Sequence, residues 1–203
     1  CHNPDTWDVN GGTEYEAEEI VRRAARYRSY FGREGGITLS GGEPLLQRDF
    51  AAEVFRICHE QNIHTCLDTS GCADGEKCAS VLQHTDRILL DIKYTLPEQY
   101  EQHVGCKMQQ PLAFLEAVNA RNIPTTLRQV IIPTLNDTEE NVLRLLEIAK
   151  RYPCVDKIEL LPFRKICQTK YDMMGIVFPF GHLPEPDPKQ MDKLRKVLGT
   201  YGG

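Results

Sequence analysis

LSGGEPLLQ, residues 39–47, ends an apolar run in a serine, two glycines, a glutamate and a proline, after which apolar residues resume at helical spacing. Gly41 and Gly42 let the backbone turn sharply and approach a ligand, because no Cβ stands in the way. Pro44 fixes φ and suits the first turn of a following helix. Glu43 then has two readings: an acceptor for a cationic ligand group, or a simple cap on the helix that follows. The same arrangement recurs downstream. CLDTSG (66–71) sets Asp68 just before turn residues, and LLDIK (89–93) places Asp91 and Lys93 two apart, hence on one face of a strand. Arg128 lies in a fourth such segment. Charges buried there are costly unless they are paired or bind something. Both signs are present, which suits a zwitterionic ligand, although a barrel-mouth salt bridge would also account for Asp91 and Lys93.

Working outward, short apolar runs alternate with longer amphipathic ones. Strands are expected at Gly36–Ser40, His64–Asp68, Arg87–Lys93, Thr125–Ile132 and Lys157–Pro162. Helices are expected at Glu14–Phe31, Phe50–Gln61, Glu76–His84, Pro111–Arg121, Thr138–Tyr152 and Pro188–Thr200. This alternation predicts parallel strands joined by right-handed crossovers. A doubly wound sheet and a barrel both satisfy it. Functional groups at the ends of several successive strands favour the barrel. The fold class is therefore α/β, a partial (β/α)6-type TIM-like barrel. The chain opens on Cys1 without the strand that the pattern calls for before its first helix, so the expectation is a single domain over residues 1–203 whose first βα unit lay upstream.

Composition narrows the partners. Of the 203 residues, 41% are hydrophobic and 26% charged, a globular balance. A net charge of -5 argues against a general nucleic-acid binder. No apolar run approaches the roughly 20 residues of a bilayer span. The expectation is a cytoplasmic monomer without nucleic-acid or membrane partners. The eight cysteines form no C-x-x-C pair, and in a long chain with a full core most are expected to be reduced, small, mostly buried side chains.

CHNPDTWD (1–8), SGGEP (40–44), HTCLDTSG (64–71), LLDIK (89–93) and KIELLPF (157–163), in this order, resemble the radical S-adenosylmethionine superfamily. More narrowly, they resemble the family of pyruvate formate-lyase activating enzymes, over essentially the whole chain. The resemblance implies a 4Fe-4S cluster on a C-x3-C-x2-C loop, whose third cysteine matches Cys1, with S-adenosylmethionine as the second cofactor. Soft, anionic thiolates suit such a cluster. It further implies that Gly41, Gly42, Glu43 and Asp68 lie near the methionine amino group, and Asp91 and Lys93 near its carboxylate and a monovalent cation. His2, Ile92 and Arg128 line the same cleft. Lys93 and Asp68 are the candidate catalytic pair. The family's usual histidine after the last strand is Arg164 here, which cannot lose its proton or stack in the same way.

The implied reaction is reductive cleavage of S-adenosylmethionine to a 5′-deoxyadenosyl radical, which takes a hydrogen atom from a backbone glycine of pyruvate formate-lyase. Flavodoxin or ferredoxin is the implied electron donor. Residues 2–40 contain no cysteine and leave no room for the ferredoxin-like module of many other glycyl-radical activases. Two enzyme alternatives stand beside this reading: activation of another glycyl-radical enzyme, and a barrel lyase with Lys93 as Schiff-base nucleophile. A third is a non-catalytic binding domain.

Overall fold

The structure is a computed structural model that describes residues 3–8, 11–32 and 35–202. Cys1 and His2 lie outside the described residues. Five strands, β1 (Gly36–Leu39), β2 (His64–Thr69), β3 (Arg87–Asp91), β4 (Thr125–Ile131) and β5 (Val155–Pro162), form one sheet. All neighbouring pairs are parallel and the spatial order is β1-β2-β3-β4-β5. A doubly wound sheet must reverse its order at a switch point. This sheet never reverses, so right-handed crossovers put every connecting helix on one side and leave the other side as the lumen of a partial barrel.

The helices are α1 (Ala17–Ala25), α2 (Arg28–Phe31), α3 (Arg48–Glu60), α4 (Ala79–Leu82), α5 (Pro97–Val104), α6 (Gln109–Asn119), α7 (Glu139–Arg151), α8 (Gln168–Met173) and α9 (Pro188–Val197). Each strand expected from the sequence is present within about two residues. The long first helix is broken into α1 and α2, and the Glu76–His84 helix is a 3-10 turn at Glu76–Cys78 followed by the short α4. Helices α5 and α8 are additional. Each buries a single side chain, Tyr100 or Tyr171, too little to set up a helical period in the sequence.

The strands show why the lumen is polar. Leu67, Ile88, Leu90, Leu127 and Ile158 are at most 1% exposed and join the helices in one apolar core with Val54, Phe55, Leu115 and Leu145. The alternate positions Cys66, Asp68, Leu89, Asp91, Arg128 and Glu159 are only half-buried and face the lumen. A second, smaller apolar cluster of Ile132, Phe163, Cys167, Tyr171 and Phe178 closes the C-terminal ends of β4 and β5.

Buried polar groups are stitched rather than orphaned. Asn141 in the first turn of α7 accepts from Thr95 Oγ1 at 2.7 Å and donates to Gln129 Oε1 of β4 at 2.7 Å. All three residues are at most 5% exposed. Asn141→Ala strands both partners, so it should lower stability by roughly 1–3 kcal/mol. A smaller midpoint in urea unfolding with an unchanged slope checks this.

Candidate functional site

Glu43 is built into the first strand-to-helix turn. Gly41 ahead of it has φ +128°, a conformation open to glycine. Glu43 Oε1 accepts from Leu45 N–H at 3.1 Å, capping the 3-10 turn Pro44–Gln47, and from Thr69 Oγ1 at 2.7 Å. Its Oε2 accepts from Ser70 N–H at 2.9 Å and Ser70 Oγ at 2.6 Å. A carboxylate offers about four acceptor sites. Those of Glu43 are taken within the chain, so this side chain ties the end of β1 to the end of β2. Thr69 and Ser70 thereby become site residues that the sequence reading passed over as turn formers.

Beside this tie runs a line of charges across four strands. Ser40 Oγ donates to Asp68 Oδ2 at 3.1 Å. Arg128 Nη2 donates to Asp68 Oδ1, while its Nε and Nη2 reach Asp91 Oδ1 at 2.9 and 2.8 Å. Asp91 Oδ2 accepts from Lys93 Nζ at 2.5 Å. Asp91, Arg128 and Glu159 stand directly opposite one another in the register of β3, β4 and β5, and Glu159 also holds Lys157 at 2.7 Å. Burial alone would lower the Arg128 guanidinium, but the Asp91 and Asp68 carboxylates outweigh it and raise it above its ordinary value. Glu159 was not singled out from the sequence; its place between Ile158 and Leu160, both buried on the opposite face, is the signal that marks it.

The remaining candidates are distributed around this line. Ile92 is fully buried in the core beneath it. Arg164, just past β5, is exposed and makes no hydrogen bond or ion pair to the described residues. The segment after Cys1 packs against the same end of the sheet. A Cβ on Gly42 would lie 3.3 Å from Thr6 Oγ1. Lys170 of α8 holds Asn3 Oδ1 at 2.8 Å and Asp5 Oδ1 at 2.9 Å, and Trp7 meets Tyr171 edge-on at 6.0 Å.

A half-barrel wound in one direction, with an acid–base line at the carboxyl ends of its strands, is the scaffold of a radical S-adenosylmethionine protein, and residues 1–146 match the radical SAM superfamily. The chain is 39% identical over 199 residues to the pyruvate formate-lyase-activating enzyme of Clostridium pasteurianum, covering 98% of this chain and 83% of that one. It is 33% identical over 205 residues to the pyruvate formate-lyase 1-activating enzyme of Escherichia coli K12, covering 100% and 83%. Its fold is similar to the crystal structure of a domain of pyruvate-formate lyase-activating enzyme from Bacteroides vulgatus, with TM-score 0.67 and 23% identity over 82% of this chain and 94% of that one. The chain belongs to the pyruvate formate-lyase-activating enzyme family of the radical SAM superfamily.

Membership brings a 4Fe-4S cluster and S-adenosylmethionine as cofactors. The lumen fits the second: carboxylates and cations alternate within reach of an amino acid's ammonium and carboxylate, beside a turn where glycine keeps the backbone open. Among the described residues no group of three His, Cys, Asp or Glu could hold a metal ion, and Cys1 lies outside them.

Arg128 keeps two carboxylates from different strands compatible. Arg128→Met should destabilise the protein by roughly 2–3 kcal/mol, below the roughly 3–5 kcal/mol of a fully buried pair, because the side chains are 16% and 20% exposed. Adding Asp91→Asn should recover part of the loss. Urea unfolding of the single and double variants measures both.

Proposed function

We propose that this chain activates a glycyl-radical enzyme, pyruvate formate-lyase, leaving a radical on one of its backbone glycines. The observation that carries the reading is the unbroken line Ser40–Asp68–Arg128–Asp91–Lys93, which joins the carboxyl ends of β1, β2 and β3 to the middle of β4. When bound, the cluster and S-adenosylmethionine supply the chemistry: reductive cleavage to a 5′-deoxyadenosyl radical that removes the glycine hydrogen. The chain supplies orientation and exclusion of water.

Lys93, whose side chain is 36% exposed, is the cation at the open end of the line and takes the methionine carboxylate together with Asp91 and a monovalent cation. Asp68 and the turn at Gly41 and Gly42 take the ammonium. Glu43 acts one step back, holding Ser70 and the end of β2 in place. Arg128 fixes the spacing of Asp68 and Asp91. Ile92 supports the line from the core beneath it, His2 and Arg164 complete the cofactor's surroundings, and Cys1 is a cluster ligand. Residues 1–203 work as one domain, in a cytoplasmic monomer reduced by flavodoxin or ferredoxin.

A Schiff-base lyase is disfavoured because Lys93 Nζ is committed to Asp91 at 2.5 Å, and because its relatives are activating enzymes.

The protein as it occurs in the cell, reconstituted with iron and sulfide under argon and then reduced, should release 5′-deoxyadenosine from S-adenosylmethionine. With pyruvate formate-lyase present it should give the electron paramagnetic resonance doublet of a glycyl radical. Failure to form 5′-deoxyadenosine removes the radical reading; 5′-deoxyadenosine without the doublet moves the target to another glycyl-radical enzyme. Asp68→Ala or Lys93→Ala should weaken S-adenosylmethionine binding by roughly 1–3 kcal/mol in calorimetry.

A further inference from the structure

Four of the cysteines are the small buried side chains that the sequence suggests: Cys58, Cys78, Cys154 and Cys167. Cys72 and Cys106 are different. Both are half-buried, they come from the loop after β2 and the loop after α5, and their sulfurs lie 3.0 Å apart. A formed disulfide is about 2.05 Å long, so closing the bond requires a movement of only about 1 Å. Cys106 also lines an open cleft of about 590 Å³ with Glu101, Lys107, Gln109 and Gln110. The cleft is open to solvent, with carboxylate, ammonium and amide side chains on its rim, so a small polar oxidant reaches the Cys106 sulfur from solvent.

We propose that Cys72 and Cys106 form an oxidisable dithiol whose oxidant is a low-molecular-weight peptide disulfide entering by the cleft. Cys106 loses its proton and attacks one sulfur of the incoming disulfide; the disulfide bond breaks, and the other half leaves as a thiolate that takes up a proton. Cys72 then loses its proton and attacks Cys106 Sγ. The protein disulfide forms, and the second small thiol departs. The dithiol loses two electrons and two protons, and the oxidant gains them as two thiols. Burial, then the hydrogen bond and charge of Cys106, push the Cys72 thiol up to about 12. Once Cys106 is capped its hydrogen bond and charge no longer act, but burial still holds the Cys72 thiol up, so the closing step speeds up as pH rises, the thiolate being the nucleophile.

The position of the pair gives the bond a consequence. Cys72 N–H donates to Ser70 Oγ at 3.4 Å, and Ser70 in turn donates both its N–H and its hydroxyl to Glu43 Oε2, the oxygen that does not cap the 3-10 turn. On the other side, Cys106 follows α5, whose buried Tyr100 accepts at its hydroxyl from Lys93 N–H at 3.5 Å. The cross-link thus ties the wall that holds Glu43 to the wall that carries Lys93.

The anaerobically purified full chain, treated with oxidised glutathione, quenched with iodoacetamide and mapped by mass spectrometry, should yield a Cys72–Cys106 linked peptide as its main cross-link. Amide exchange at Ser70 and Cys72 should slow in that form and return on reduction. Cys72→Ser should stop at a glutathionyl adduct on Cys106, while Cys106→Ser should lose the cross-link and slow adduct formation by at least about tenfold. The wild-type map needs no variant to fold. Absence of the linked peptide across pH 7 to 9, or an adduct that settles on Cys72 and spares Cys106, overturns the proposal.

Discussion

Everything at the mouth of this barrel depends on Arg128 standing between Asp68 and Asp91. Those carboxylates end neighbouring strands, and each is drawn half out of solvent by the sheet that carries it. Without a cation between them, the lumen would hold two like charges at low dielectric, where repulsion is far stronger than in water. A lysine would supply the charge but not the fork. Arg128 spreads several donors over one plane, so Nε and Nη2 can serve different carboxylates at once. The same contact couples fold to chemistry, since the residue that makes the strands compatible also sets the distance between the two acids.

Glu43 occupies the turn expected for it and makes the capping contact that was one of its two readings. The two readings of the glutamate, helix cap and ligand acceptor, are not exclusive in physical terms. The carboxylate does cap the turn, through Leu45, and it also receives Thr69 and Ser70 from the next strand. Its acceptor sites are filled within the chain, and the loop after β2 is held by them. That is the logic of pre-organisation: a site within a few tenths of an ångström of its working geometry needs its supporting residues held at least as firmly as the residues that touch the ligand.

The strands were legible because each is a short β-branched or apolar run bounded by turn residues, and the barrel was legible because polar residues interrupt those runs at their carboxyl ends. Asp91 and Lys93 could be assigned to one face from a spacing of two residues, a local property, and Asp68 and Arg128 to their own strands from the runs they interrupt. Which of them pair could not, because pairing depends on register between strands. The Arg128–Asp68 contact joins residues sixty positions apart. Helices α5 and α8 escaped for another reason: one buried tyrosine each gives no repeat to detect. Cys72 and Cys106 escaped because thirty-four residues separate them, and two thiols at that distance show nothing until α5 folds back over the loop after β2.

The first residues after Cys1 extend this reasoning to the rim. Asn3, Asp5 and Trp7 are held by Lys170 and Tyr171 of α8, from the far end of the chain, and Thr6 lies against Gly42. The Lys170 hydrogen bond, partly offset by desolvation, holds the Asp5 carboxyl below its usual range. Exposed pairs of this kind contribute little stability on their own. Their value is positional: three weak contacts acting at different angles fix a short segment more narrowly than one strong contact would. A Cβ at position 42 would lie 3.3 Å from Thr6 Oγ1, a tight contact to which the Thr6 side chain would have to give way. The glycine pair in LSGGEPLLQ therefore serves two surfaces at once, with Gly41 allowing the turn that presents the backbone to the lumen and Gly42 admitting the segment that begins the chain.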